Sequence, residues 1–262
     1  MENCIKDTKV LMLDLDGTVY LDNDLIGDVK NTLQYFRDKG VTLVYLTNNS
    51  SKTDDEYLVK LKNLDIYKDG DIFYSSLDAG LDYLKENYKG KSIYPLAVKS
   101  VEKHIEDCGF TISDDADIIF MTFDRDLNYQ KIVRANELMC EGRLYIATHP
   151  DATCPAKGWF VPDVGSFIKM FESSSGRVPD VIVGKPYSVM ADMLLKKLGV
   201  KKEQVTMCGD RLNTDVAFGK NNGFNSVVVL TGVTTREQAE VAKKEGKVDL
   251  VLENLDLLKN YI

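Results

Sequence analysis

Lys9-Val10-Leu11-Met12-Leu13-Asp14-Leu15-Asp16-Gly17-Thr18 is the stretch from which the fold can be read. Its apolar run lacks the alternation of a half-solvated strand and is too short for a helix, the signature of a parallel strand buried on both faces. It breaks off at Asp14 and Asp16, and Gly17 then lets the chain turn sharply. The same pattern recurs. Val41–Leu46 leads into Thr47-Asn48-Asn49-Ser50, Val181–Val183 into Gly184-Lys185-Pro186, and Val205–Cys208 into Gly209-Asp210, while Ser226–Leu230 is a further short run. Amphipathic helical segments lie between them at Val29–Lys39, Thr53–Leu64, Ser188–Leu198 and Thr214–Asn222. Strands alternating with helices predict an α/β fold with a doubly wound, Rossmann-like parallel sheet. Open sheets of this kind bind ligands beyond the carboxyl ends of their strands, so acidic, hydroxyl, amide and ammonium groups are predicted to meet in one crevice.

Residues 79–179 interrupt this series with an alternation of their own. Strands are predicted at Ser92–Leu96, Asp117–Met121 and Leu144–Thr148, and helices at Lys99–Cys108, Tyr129–Glu141 and Val164–Phe171. The reading is a catalytic core made of residues 1–78 and 180–262, with an inserted α/β domain over 79–179. Ser75-Ser76 and Ser173-Ser174-Ser175-Gly176-Arg177-Val178-Pro179 have the small, turn-prone composition of hinges.

With 44% apolar and 28% charged residues among 262, the chain falls outside the disordered and fibrous classes. Its net charge of -8 argues against a nucleic-acid partner, which calls for a basic face. No apolar run reaches the roughly 18 residues of a membrane span, and Met1–Lys9 lacks a signal-peptide core, so a cytoplasmic protein without a membrane partner is expected. Cys4, Cys108, Cys140, Cys154 and Cys208 show no paired spacing and read as reduced, buried filler.

The strand-end residues suit phosphoryl chemistry. A carboxylate such as Asp14 can attack phosphorus, and a second carboxyl at Asp16 can protonate a leaving oxygen and then activate water; an isolated Asp-x-Asp can equally be a solvated acidic turn. Asp210 and Asp215 add hard oxygen ligands of the kind Mg2+ prefers, although Asp215 also suits the first turn of a helix. Lys185 offers a fixed positive charge. Thr47 and the amides of Asn48 and Asn49, read as opening the next helix, can cradle phosphate oxygens or serve as a cap.

Taken together, Asp14-Leu15-Asp16-Gly17-Thr18, Thr47-Asn48-Asn49, Gly184-Lys185-Pro186 and Gly209-Asp210-Arg211-Leu212-Asn213-Thr214-Asp215 resemble, in order, the four motifs of the haloacid dehalogenase-like superfamily. The large insertion, with Ala147-Thr148-His149-Pro150-Asp151 inside it, resembles the NagD-like branch that includes p-nitrophenyl, phosphoglycolate and pyridoxal phosphatases. The resemblance covers nearly the whole chain. It implies a Mg2+-dependent hydrolase of small phosphorylated metabolites, with Asp14 as nucleophile and Asp16 as general acid and base. It further implies Thr47 and Lys185 as phosphate and charge-balancing contacts, Mg2+ held by Asp14, the Asp16 backbone carbonyl and Asp210, and Asp215 in support. A homodimer through the inserted domain, as in related proteins, is compatible with it. His149 stands where the family often has Asn and is read as either structural or ligand-contacting. The Phe123-Asp124-Arg125-Asp126 segment is similar to a common cap motif and carries no assigned role. The alternatives are a phosphoryl-accepting signalling protein, disfavoured by the insertion, and a metal-dependent sugar transferase.

Overall fold

The computed structural model describes residues 5–156 and 158–262, so Cys4 and the first part of the Met1–Lys9 segment lie outside the described residues. Two compact units emerge. One holds the described residues through Thr47 together with Asp54–Tyr74 and Lys185–Ile262, and the other holds Asn48–Thr53 and Ser75–Gly184.

The first unit is built on six strands: β1 (Val10–Leu13), β2 (Thr42–Thr47), β3 (Ile72–Ser75), β8 (Val205–Gly209), β9 (Asn225–Val229) and β10 (Leu250–Leu252). The second contributes β4 (Ile93–Leu96), β5 (Ile118–Met121), β6 (Leu144–Ala147) and β7 (Val181–Ile182). The six-stranded sheet runs β10-β9-β8-β1-β2-β3, parallel from β10 through β2. All four residues of β1 are buried, as expected for the centre of a sheet covered on both faces. The chain winds outward from β1 in one direction and from β8 in the other, which puts a topological switch point between these neighbours.

Helix Val29–Asp38 shows how the sheet is covered. Val29, Thr32, Leu33 and Phe36, at helical spacing, turn inward onto a cluster that includes Leu11, Leu13, Leu43 and Tyr45. Each fully buried Leu or Phe of this kind contributes roughly 1.5–3 kcal/mol. Among the described residues no helix is long and apolar enough to cross a membrane.

The four-stranded sheet runs β7-β6-β5-β4, all parallel, over a core that includes Ile119, Met121, Tyr145, Ile168 and Phe171. Several predicted details differ. Val181–Ile182 does not join the larger sheet but extends this one beside Leu144–Ala147, because hydrophobic pattern marks a strand without choosing its partner. The serines read as a hinge at 173–175 complete helix Val164–Ser175, where the Ser175 hydroxyl donates to the Phe171 carbonyl at 2.8 Å. Ser75 stands where the chain passes from the first unit to the second, as the border reading expects, and it caps helix Ser76–Asn87 in a capping box with Asp78. Elements that escaped prediction include β3, β10 and the helices Ser76–Asn87 and Arg236–Lys244. Of the described cysteines only Cys208 is buried; Cys140 is exposed and Cys108 and Cys154 are half-buried, so burial as filler fits Cys208 alone.

Candidate active site

The register of the sheet assembles the site. Leu13 of β1 pairs with Cys208 of β8, and the Asp14 N–H donates to the Cys208 carbonyl at 2.9 Å, which brings Asp14 level with Gly209 and Asp210 at the switch point. Lys185 reaches the same place. Its Nζ donates to Asp14 Oδ1 at 2.6 Å and to Asp215 Oδ1 at 2.7 Å, with the Leu46 carbonyl at the end of β2 3.5 Å away. The ammonium is almost wholly enclosed, at 2% exposure, so these charge-assisted bonds replace its water.

Asp215 lies in a π-helical turn, Leu212–Val216, and its Oδ2 accepts the Arg211 N–H at 3.1 Å. Such turns are uncommon and concentrate at functional sites. This turn replaces the first part of the helix predicted from Thr214. Asp210 is held through one oxygen only: Oδ2 accepts the Val233 N–H at 2.7 Å, while Oδ1 is buried without a hydrogen-bond partner. Gly17, with φ +90°, makes the close approach feasible, since a Cβ there would lie 2.7 Å from Asp210 Oδ2 and 3.2 Å from Gly232 Cα. The Thr231 hydroxyl donates to the Gly17 carbonyl at 2.5 Å and ties this turn to the end of β9.

Carboxylate oxygens of Asp14, Asp210 and Asp215 all fall within 4.8 Å of one another. Burial raises the Asp14 carboxyl well above the ordinary carboxylate range, Asp215 and Asp210 push it further, and Lys185 partly offsets them. Asp210 is pushed up to about 6 by burial and then by Asp215. For Lys185 the order reverses: burial pulls its pKa down, but Asp14 and Asp215 outweigh burial and raise it, so the ammonium stays charged. Three clustered carboxylates, Asp210 and Asp215 buried and Asp14 half-buried, beside one ammonium carry excess negative charge. A hard divalent cation fits that excess and the orphaned Asp210 Oδ1, and these donors are the oxygen type such ions take.

The remaining predicted residues are placed as follows. Asp16 is exposed and forms a β-bridge with Tyr20, whose buried phenol is raised by burial and then by Asp16. Thr47 is buried at the end of β2. Asn48 and Asn49 do not open a helix: the next one begins only at Asp54, and the intervening loop satisfies itself, with Asn49 Oδ1 accepting the Ser51 N–H at 3.0 Å. This loop belongs to the second unit. His149 is fully buried and bonded to Thr148 and Asp163, so its ring is closed to direct contact with a ligand. The reading of the sequence missed Thr231-Gly232-Val233, although this polar break after a buried strand repeats the pattern of the other strand ends.

Residues 11–111 match the haloacid dehalogenase-like hydrolase family, and residues 182–258 match a second, HAD-hydrolase-like family. An acid sugar phosphatase of Staphylococcus aureus is 32% identical over 238 residues, covering 90% of this chain and 92% of its own. A 4-nitrophenylphosphatase of Thermotoga maritima superposes with a TM-score of 0.93 at 38% identity, over 98% of both chains. NagD of E. coli gives 0.86 at 27% identity, over 95% of this chain and 97% of its own. With ordered motifs converging on one switch point and relatives alike over nearly their full length, the chain belongs to the haloacid dehalogenase-like hydrolases, in their NagD-like, p-nitrophenyl phosphatase branch.

Proposed function

We propose that the protein is a Mg2+-dependent phosphatase that hydrolyses a small phosphate monoester through a phosphoaspartate at Asp14. The observation that carries this reading is the cluster of Asp14, Asp210 and Asp215, with Lys185 bonded to the first and last and one buried Asp210 oxygen left unpaired. Asp14 and Asp210, with the Asp16 backbone carbonyl, would hold Mg2+, and Asp215 would support them. Bound there, the ion supplies positive charge that lets an anionic phosphate approach the carboxylates.

In the first step a carboxylate oxygen of Asp14 forms a bond to phosphorus while the bond from phosphorus to the ester oxygen breaks. Asp16 gives its proton to the departing alkoxide. In the second step water adds to phosphorus, Asp16 takes its proton, and the bond to Asp14 breaks, which releases inorganic phosphate and restores the Asp14 carboxylate and the protonated Asp16. Lys185, fixed by Asp14 and Asp215, balances charge on the transferring group, and Thr47, Asn48 and Asn49 contact its oxygens. The inserted segment 79–179 acts as the cap that selects the leaving group and limits water.

The substrate in this reading is a small phosphorylated metabolite of the cytoplasm. Sugar phosphates and p-nitrophenyl phosphate lead the candidates because relatives bear those names. Membership of a hydrolase family speaks against the signalling and transferase alternatives. A panel of sugar phosphates, phosphoglycolate, nucleotides, pyridoxal phosphate and p-nitrophenyl phosphate, assayed with Mg2+ and with EDTA, tests the reading. Phosphate release only with the metal supports it, and no release from any member of the panel rejects it.

A further inference from the structure

We infer that Thr148 and His149 are positioning residues for the phosphate contacts, acting through a one-way hydrogen-bond chain inside the second unit. The inference rests on the proposed reading that the loop continuing from Thr47 contacts phosphate. His149 is fully buried and bonded at both ring nitrogens, Nε2 to Asp163 Oδ1 at 3.0 Å and Nδ1 to Thr148 Oγ1 at 3.0 Å. Thr148 Oγ1 lies 2.9 Å from Ser50 Oγ, which accepts the Phe123 N–H at 2.8 Å.

Proton accounting gives this chain a single direction. The Asp163 carboxylate accepts, so His149 Nε2 carries a proton, and with Nδ1 as the acceptor of the ring the Thr148 hydroxyl donates to it. With that proton used, the Ser50 hydroxyl donates to Thr148 and its oxygen is left to accept from Phe123. No hydroxyl in the series can reverse without leaving a buried group unpaired, a costly outcome in a dry interior. Asp163 is itself anchored, since it caps helix Val164–Ser175 by accepting the Val164 N–H at 2.7 Å. The Phe123 segment thereby acquires a role, with Asp124 buried beside it and bonded to Lys131 Nζ at 2.8 Å.

Two site-bearing stretches of chain meet this node. One is the loop after Thr47: Ser50 is in the hydrogen-bond chain, the Asn48 carbonyl accepts the Ser76 hydroxyl at 2.5 Å, and Asn48 Nδ2 donates to Asp151 Oδ2 at 3.0 Å. The other is Gly184, directly before Lys185, whose N–H donates to the Thr148 carbonyl at 2.7 Å. A Cβ on Gly184 would stand 2.5 Å from Asn48 Oδ1 and 2.8 Å from that carbonyl, so both stretches are packed against Thr148 without slack. Thr148 and His149 therefore set where the Asn48–Asn49 amides and Gly184 lie within the second unit.

The test measures inorganic phosphate affinity by calorimetry, with Mg2+ present, and KM and kcat for p-nitrophenyl phosphate. Thr148→Val and His149→Phe keep shape and break the chain; each should weaken phosphate binding and raise KM roughly tenfold, with a smaller change in kcat. The double variant should be no worse than either single one, because both cut the same chain. Thr148→Ser keeps the hydroxyl and should stay near wild type, and it also serves if the other variants fold poorly: a tenfold loss in Thr148→Ser overturns the inference. So does unchanged phosphate affinity in folded Thr148→Val or His149→Phe, even with lowered stability, because the node would then be structural only. A wild type that binds phosphate but hydrolyses no monoester rejects the phosphatase reading instead and leaves the affinity comparison decisive; one that binds no phosphate rejects both.

Discussion

Replacing Lys185 with Met removes the ammonium bonded to both Asp14 and Asp215 while keeping most of the side-chain volume. At 2.6 and 2.7 Å, with 2% exposure, the lost contacts are buried charge-assisted bonds, and deleting one partner of such a pair costs about 3–5 kcal/mol because the other charges remain buried and unpaired. Here the residue left behind is three carboxylates within 4.8 Å of one another. In urea unfolding at pH 7 with EDTA, a slope near 3 kcal/mol per molar turns this cost into a midpoint shift of roughly 1 to 2 M. At pH 5 the shift should shrink, since protonation of Asp14 or Asp210 relieves the repulsion; both carboxyls are already raised, Asp210 to about 6. Adding Asp215→Asn should recover part of the stability of Lys185→Met without restoring turnover, because it removes an unpaired charge and not the missing cation. An unchanged midpoint at pH 7, or strictly additive effects in the double variant, would refute the coupling of Lys185 to these carboxylates.

Asp14→Asn and Asp16→Ala should each abolish p-nitrophenyl phosphate turnover while circular dichroism stays native; retained activity in either purified variant removes the role assigned to that residue. Metal-free protein should lose stability as pH rises from about 4 to 6. Asp210 moves from 3.8 to about 6 on folding, so the folded state binds its proton more tightly, and that advantage, about 3 kcal/mol, is full below pH 3.8 and gone above 6. Mg2+ should accordingly raise the thermal midpoint more at pH 7 than at pH 5, and an equal rise at both would contradict a site at these carboxylates. Gly17→Ala places a Cβ 2.7 Å from Asp210 Oδ2 on a backbone at φ +90°, so a destabilisation of about 1–3 kcal/mol and weaker Mg2+ binding are expected in calorimetry; wild-type metal affinity would count against the close approach.

The acids and the ammonium were legible because each stands just past a short buried run, where a strand must end and a side chain is presented at the sheet edge. Asp14, Lys185, Asp210 and Asp215 meet as those positions imply. Sequence pattern was silent on strand partnership. It put Val181–Ile182 with the wrong sheet and could not show that Asn48–Thr53 pack with the inserted residues, because periodicity records that a residue is buried and not what buries it. It misjudged the serines at 173–175 for a related reason: they have the composition of a hinge, but they lie in helix Val164–Ser175, where the Ser175 hydroxyl bonds to nearby backbone. His149 is the sharpest instance. Its meaning depends on Thr148, Asp163 and Ser50, the last of them 99 positions away in the chain, and no spacing rule connects residues whose only relation is an ordered set of protons. The chemistry could thus be anticipated from single strand ends, whereas the positioning of that chemistry is a property of contacts that only the folded chain creates.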